Sequence, residues 1–322
     1  MPDKNHGSTA RLRAVAQGAA ALALTLGLTA CGASAVSAGN GDSGKGRDPE
    51  ELVLATVPDE SSSSVQSEYE PLARMLEKET GRKVRIEKAT TYASVIEGQR
   101  AGKIDIAMHG PLSYVVARRS GVKATPIAAQ VKTKDADSGY RSYGIVKHGS
   151  AVKDLAGYKG KKVCFVDPTS TSGYLYPVAG LSEAGVKEKE VKPVMAGGHD
   201  ASALAVLSGQ CDVGFAYDAM VDKLLVERKH MKPGELDIVW KSDVIPGSPL
   251  TVSDDLTPDL KARITQAFRT KANADYLQRN GYCAGDACKI DGYWGFTPTD
   301  DADFESVREV CGRVGEDQCV AN

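Results

Sequence analysis

Val163-Cys164-Phe165-Val166-Asp167-Pro168-Thr169-Ser170-Thr171-Ser172-Gly173-Tyr174 passes from an apolar run, through a proline turn, into a cluster of hydroxyl side chains. The apolar run suits a buried strand, Pro168 suits a turn, and a helix is expected after Ser172. The first N–H groups of a helix have no partner within it and point outward. The helix dipole adds partial positive charge at the same end. Ser170, Thr171 and Ser172 surround those donors, and Gly173 is expected to let the backbone approach a ligand closely. The segment therefore reads as a cradle that could hold an anion without any cation. A Ser or Thr at this position can also serve only as a helix cap. One hydroxyl suffices for a cap; three in a row followed by glycine exceed it.

The same strand–helix unit recurs on both sides of this segment. Before it, residues 52–57 read as a buried strand and residues 65–80 as a helix stopped by Gly81. A strand over 84–89, a helix over 93–100 and a strand over 104–108 follow, and Pro111 opens another helix where proline is tolerated. Residues 140–146 are extended and cross between lobes. Beyond the cradle, strands over 191–195, 212–217 and 236–240 alternate with helices, one beginning near Asp200 and one ending near Lys229. Ile245-Pro246-Gly247 reads as the return crossing, and a helix over 259–272 re-enters the first lobe. Such alternation implies mainly parallel sheets with right-handed crossovers. The expected architecture is α/β with two lobes, each a mixed, mainly parallel sheet flanked by helices, joined by a two-stranded hinge. Residues 51–142 and 249–322 form the first lobe, including a cysteine-containing tail, and residues 143–248 form the second. Ligands of open α/β sheets bind beyond the carboxyl ends of the strands, and two-lobed proteins close on them by hinge motion.

A chain of 322 residues exceeds one small core and suits two packed lobes. Its net charge of −2 gives no basis for nucleic-acid binding, which uses basic patches. Lys4, His6, Arg11 and Arg13 precede an apolar run over 14–28, followed by Leu28-Thr29-Ala30-Cys31. That order describes an export signal over residues 1–30. The cysteine after small residues resembles the lipobox of bacterial lipoproteins, which implies that Cys31 carries a palmitate-type lipid. Residues 31–50 then read as a flexible tether. Of seven cysteines, the remaining six suit disulfides in an exported protein. Cys164 and Cys211 both border strands of the second lobe and are expected to pair. Cys283, Cys288, Cys311 and Cys319 are expected to pair among themselves.

Other strand ends carry further candidates. Gly197-Gly198-His199-Asp200-Ala201-Ser202 again joins a strand to a helix, and the His199 ring could donate to an anion, with Asp200 reading as the helix cap. In the first lobe, Tyr92 and His109 lie just past strands, and a tyrosine can cover an apolar substituent while donating its hydroxyl. Ser61 to Ser64 could add donors or be a solvated loop. Ser, His and Asp are also the vocabulary of a hydrolase, but G-x-S-x-G is absent, so no catalytic residue is assigned. His109 and His199 could meet across the cleft as metal ligands, yet no clustered carboxylates accompany them. No metal and no cofactor is expected.

These stretches resemble, in order, the phosphonate- and phosphite-binding proteins of ABC transporters, a family with the type II periplasmic-binding-protein fold. The resemblance rests on Tyr92 with Ala93-Ser94-Val95-Ile96-Glu97-Gly98, on Gly110-Pro111-Leu112-Ser113-Tyr114, and on Asp167 through Gly173. Gly198-His199-Asp200 and Ile245-Pro246-Gly247-Ser248-Pro249 complete it. It implies that Ser170, Thr171, Ser172 and His199 hold phosphonyl oxygens with help from Tyr92. It also implies a second aromatic near the crossing, Tyr140 with Tyr143 close behind. The implied role is a lipid-anchored, extracytoplasmic monomer that carries a small phosphorus oxyanion to a permease and its ATPase. Another tetrahedral oxyanion such as phosphate or sulfate, or coupling to a membrane sensor, fits the same fold. Relatives that bind aminoalkyl phosphonates set carboxylates against the ammonium group. Asp218 could be one; where the other is expected, this chain has Gly247-Ser248, which puts 2-aminoethylphosphonate in doubt.

Overall fold

The computed structural model describes residues 46–58 and 65–315. Cys31, the tether before residue 46, Ser61 to Ser64 and Cys319 lie outside them. The first strand, β1 (Glu51–Thr56), is buried along almost all its length, as a parallel strand flanked on both sides must be. It leads to α1 (Val65–Thr80), β2 (Lys83–Lys88), α2 (Tyr92–Arg100), β3 (Ile106–Met108), α3 (Pro111–Arg119) and β4 (Ala124–Val131). The chain crosses to β5 (Ser142–Lys147), β6 (Lys162–Phe165), α4 (Tyr176–Glu183), β7 (Lys192–Met195), α5 (His199–Leu207), β8 (Val213–Tyr217), the short α6 (Leu225–Glu227) and β9 (Leu236–Lys241). It returns to β10 (Pro249–Ser253), α7 (Pro258–Thr270), α8 (Ala274–Arg279), β11 (Gly295–Pro298) and α9 (Glu305–Val314).

Two sheets result, in the orders β11-β4-β10-β3-β1-β2 and β7-β6-β8-β5-β9. In the first, β1 is parallel to β2 and β3, whereas β10 is antiparallel to β3 and β4. In the second, β6 is parallel to β7 and β8, and β5 is antiparallel to β8 and β9. The α/β expectation of two mixed sheets flanked by helices is met. Helix α1 buries Tyr69, Leu72, Met75 and Leu76, the spacing that lays one helical face on a sheet. The two crossings run side by side. Tyr140 N–H donates to Ile245 O at 3.0 Å, and Ile245 N–H donates back to Tyr140 O at 2.8 Å. Gly247 is fixed at this hinge, because an added Cβ would stand 2.6 Å from the Gln130 carbonyl oxygen.

The C-terminal segment departs from a simple first-lobe assignment. Phe304, Val307, Val310 and Cys311 share a core with Leu112 and Tyr114 of α3 and with Leu175 and Tyr176 of the second lobe. Helix α9 therefore packs on both lobes, because its apolar face is wide enough to cover α3 and α4 together. Cys164 and Cys211 are bonded, as are Cys283 and Cys288. Cys311 is disulfide-bonded too. Among the described residues, no helix is long and apolar enough to cross a membrane.

Candidate anion-binding site

The carboxyl end of β6 feeds a widened helical turn, Thr171–Leu175, that runs into α4. Leu175 N–H reaches back to Ser170 O at 3.1 Å, a five-residue step of the kind that recurs at functional sites. Ser170 caps this turn: its Oγ accepts from Gly173 N–H at 3.1 Å. Glycine at 173 is required by packing. A Cβ there would come within 2.4 Å of the Val166 side chain and 2.7 Å of Ser170 Oγ. The turn can lie this close to the end of β6 only without a side chain at that point. Because the Ser170 oxygen accepts, its single hydrogen remains to be donated elsewhere.

His199, the first residue of α5, lies 2% exposed beside this turn. Its Nδ1 accepts from the backbone N–H of Tyr217 at 3.2 Å. An N–H can only donate, so Nδ1 is bare and the proton of the neutral ring sits on Nε2. Burial lowers the imidazole pKa to about 3, which keeps the ring neutral. Nε2 lies 3.4 Å from Ser170 Oγ, so two uncharged donors stand together. The helix cap is Gly198, not Asp200; Asp200 sits inside the first turn and accepts from Ala201 N–H.

Ser170, Thr171, Ser172 and His199 line one cavity of about 350 Å³, mouth included. Tyr92, Tyr140, Tyr217 and Tyr293 supply aromatic walls, and Gly110, Gln130, Ser248 and Asp291 complete them. Among these residues there is no lysine or arginine. Tyr92 is placed by its helix start, where Thr91 and Ser94 bond each other's backbone N–H groups as a capping box. Thr171 Oγ1 accepts from Leu112 N–H, on the opposite lobe, at 2.8 Å. Arg228 and Glu68 form a second tie between the lobes at 3.3 Å. The lobes therefore stand closed around the cavity.

Two expected residues lie elsewhere. His109 is buried behind the wall, with Nε2 3.0 Å from Gln99 Oε1 and Nδ1 3.4 Å from Ser113 Oγ. Its partners belong to its own lobe, and it meets neither the cavity nor His199. Asp218 receives Lys132 Nζ at 2.6 Å and the N–H groups of Arg141 and Ala219. It is spent on the hinge and does not line the cavity. Tyr143 likewise turns away, donating its hydroxyl to Asp222 at 3.0 Å.

The sequence reading did not single out Gln130, Tyr217, Ser248, Asp291 or Tyr293. One local signal was available. Asp291 and Gly292 have φ of 52° and 77°, and Tyr293 N–H closes on Ile290 O at 2.9 Å. Positive φ at both central residues marks the tight turn that Asp-Gly favours. Gly292 rests 3.3 Å, by its missing Cβ, from Leu224 of the second lobe, so this turn closes over the cavity.

Comparison with known proteins agrees with this picture. A profile for ABC-transporter phosphonate periplasmic substrate-binding proteins matches residues 54–304. A phosphate-import protein, PhnD, of Mycolicibacterium smegmatis is 45% identical over 84% of this chain and 88% of its own. The phosphonates-binding periplasmic protein of Escherichia coli is 31% identical over 72% and 70%, respectively. The crystal structure of a binding-protein component of an ABC phosphonate transporter from Pseudomonas aeruginosa superposes with a TM-score of 0.73. It is 27% identical and covers 83% of this chain and 87% of that one.

Proposed function

The chain belongs to the periplasmic phosphonate substrate-binding proteins of ABC transporters, and from that premise we propose that it captures a compact tetrahedral phosphorus oxyanion and hands it to a permease. Members of this family bind and deliver; they are not enzymes. One observation supports the ligand class above the rest. Ser170 Oγ–H and His199 Nε2–H are neutral donors beside the first N–H groups of a helix. Oxygens pointing in several directions can each take a donor there, and a water-poor site strengthens every such bond.

The ligand set is inorganic phosphate, phosphite and short phosphonates such as methylphosphonate. Phosphate enters because the Mycolicibacterium smegmatis relative is a phosphate-import protein. An aminoalkyl chain is disfavoured. Asp218 is already bonded to Lys132, and at position 247 any side chain would meet the Gln130 carbonyl. Calorimetry on the mature chain with phosphate, phosphite, methylphosphonate and 2-aminoethylphosphonate tests this. Heat from the first three, with the aminoalkyl ligand weakest, is expected; no heat from any of the first three removes the reading.

The location proposed is the outer face of the cell membrane, with the signal over residues 1–30 removed and a lipid on Cys31. Labelling of cells with a palmitate analogue should mark the wild-type protein and leave Cys31→Ala unlabelled and released. Equal labelling of both would refute the anchor.

A further inference from the structure

Glu68 and Arg228 meet across the seam between the lobes, and neither lines the ligand cavity. Glu68 lies in the first turn of α1, between β1 and β2 of the first sheet; Arg228 follows α6, between β8 and β9 of the second. Arg228 Nη2 stands 3.4 Å from Glu68 Oε1 and 3.3 Å from Oε2. The arginine is 23% exposed and the glutamate 15%, so water screens this pair less than it screens one on the open surface. Glu68 has a second duty. Its Oε1 accepts from Asp291 N–H at 2.8 Å, and Tyr69, next along α1, donates its hydroxyl to Asp291 Oδ2 at 2.6 Å. Asp291 and Tyr293 belong to the cavity wall. One carboxylate therefore joins the second lobe to the first-lobe turn that encloses the ligand. The second-lobe segment is pressed on the same turn, with Leu224 3.3 Å from where a Cβ of Gly292 would stand.

We infer that Glu68 and Arg228 are positioning residues that form a latch: the pair holds the lobes shut over the anion and sets its affinity without touching it. This inference rests on the phosphorus-oxyanion reading above and deepens it. Hinge opening parts the two residues, because each moves with its own sheet. A contact made only in the closed form shifts the equilibrium toward that form, and the ligand then binds more tightly by the same factor. The cavity lining has no lysine or arginine to attract the anion directly, so contacts that favour closure weigh more in the total. The pair also acts on the cavity wall, since the oxygen that receives Arg228 is the one that fixes the Asp291 backbone.

The test is calorimetry with phosphate, phosphite and methylphosphonate on the wild-type chain, Glu68→Gln, Arg228→Gln, Arg228→Lys and the double glutamine variant. Glutamine at 68 keeps an oxygen for the Asp291 N–H and removes only the charge. Each single glutamine variant is expected to bind roughly threefold to thirtyfold more weakly. The double variant should fall short of the product of the two single losses by at least roughly threefold, as a direct pair requires. Arg228→Lys keeps the charge but not the planar fork and should recover part of the affinity. Without ligand, the variants should melt as the wild type does; with ligand, their melting temperature should rise less. Unchanged affinity in both single variants, single losses that simply multiply, or equal drops in melting temperature with and without ligand would overturn the latch and leave the ligand reading intact. Failure of the wild type to bind any of the three ligands overturns both.

Discussion

Near pH 5 the unfolding free energy is expected to fall by at most about 2.7 kcal/mol per pH unit, with a shallower slope toward pH 6 and pH 4. Two buried histidines cause this. Burial pulls His109 down to about 4 and His199 to about 3, from 6.5 in an open chain. Between these folded values and 6.5 the unfolded chain therefore binds up to two protons that the folded chain does not. Each contributes about 1.36 kcal/mol per pH unit to the slope. Because both folded values are depressed, the stabilisation is complete above 6.5 and is lost as the pH falls. Urea denaturation across this range measures it. His109→Gln lies outside the ligand cavity and should halve the slope. A wild-type slope as shallow as that of the variant would mean that one histidine carries a charge in the folded protein.

Thr171→Val is expected to weaken phosphate binding by about 1–3 kcal/mol, roughly fivefold to a hundred-and-fiftyfold. The substitution keeps the shape and removes one hydroxyl with two duties. Its oxygen accepts from Leu112 N–H across the cleft at 2.8 Å, and its hydrogen is available to the ligand. Valine strands the Leu112 N–H in the closed form and deletes a donor from the cradle at once. Titration calorimetry with phosphate reads the first-order effect, and small-angle scattering of the liganded protein reads closure. An unchanged affinity would remove Thr171 from both roles.

Much of this molecule follows from local rules. The alternation of apolar runs with helical segments predicts two α/β lobes, and α1 is found over the predicted residues 65–80. The turn after β6 was legible because a strand, a turn and a hydroxyl-rich helix start are adjacent in the chain. The strand β4 was not. Pro126 sits in its middle, and proline lacks the N–H that a central strand donates. The structure accommodates it at an irregularity: the register against β10 shifts between Leu250 and Thr251, opposite Ala128 and Pro126. Only the partner strands, far along the sequence, make that placement possible.

The same reason explains the split among site residues. The amino-acid sequence by itself determined the lobed α/β architecture and the hydroxyl-rich turn at Ser170 to Ser172, because strand, turn and helix start are decided by neighbours a few residues apart. The tertiary structure alone decided that His199, Tyr140 and Asp291 face the cavity while His109, Tyr143 and Asp218 do not. Each pair has similar chemistry at a strand end or in a loop. Which member reaches the cleft depends on hydrogen bonds to residues brought near only by the packing of the two lobes.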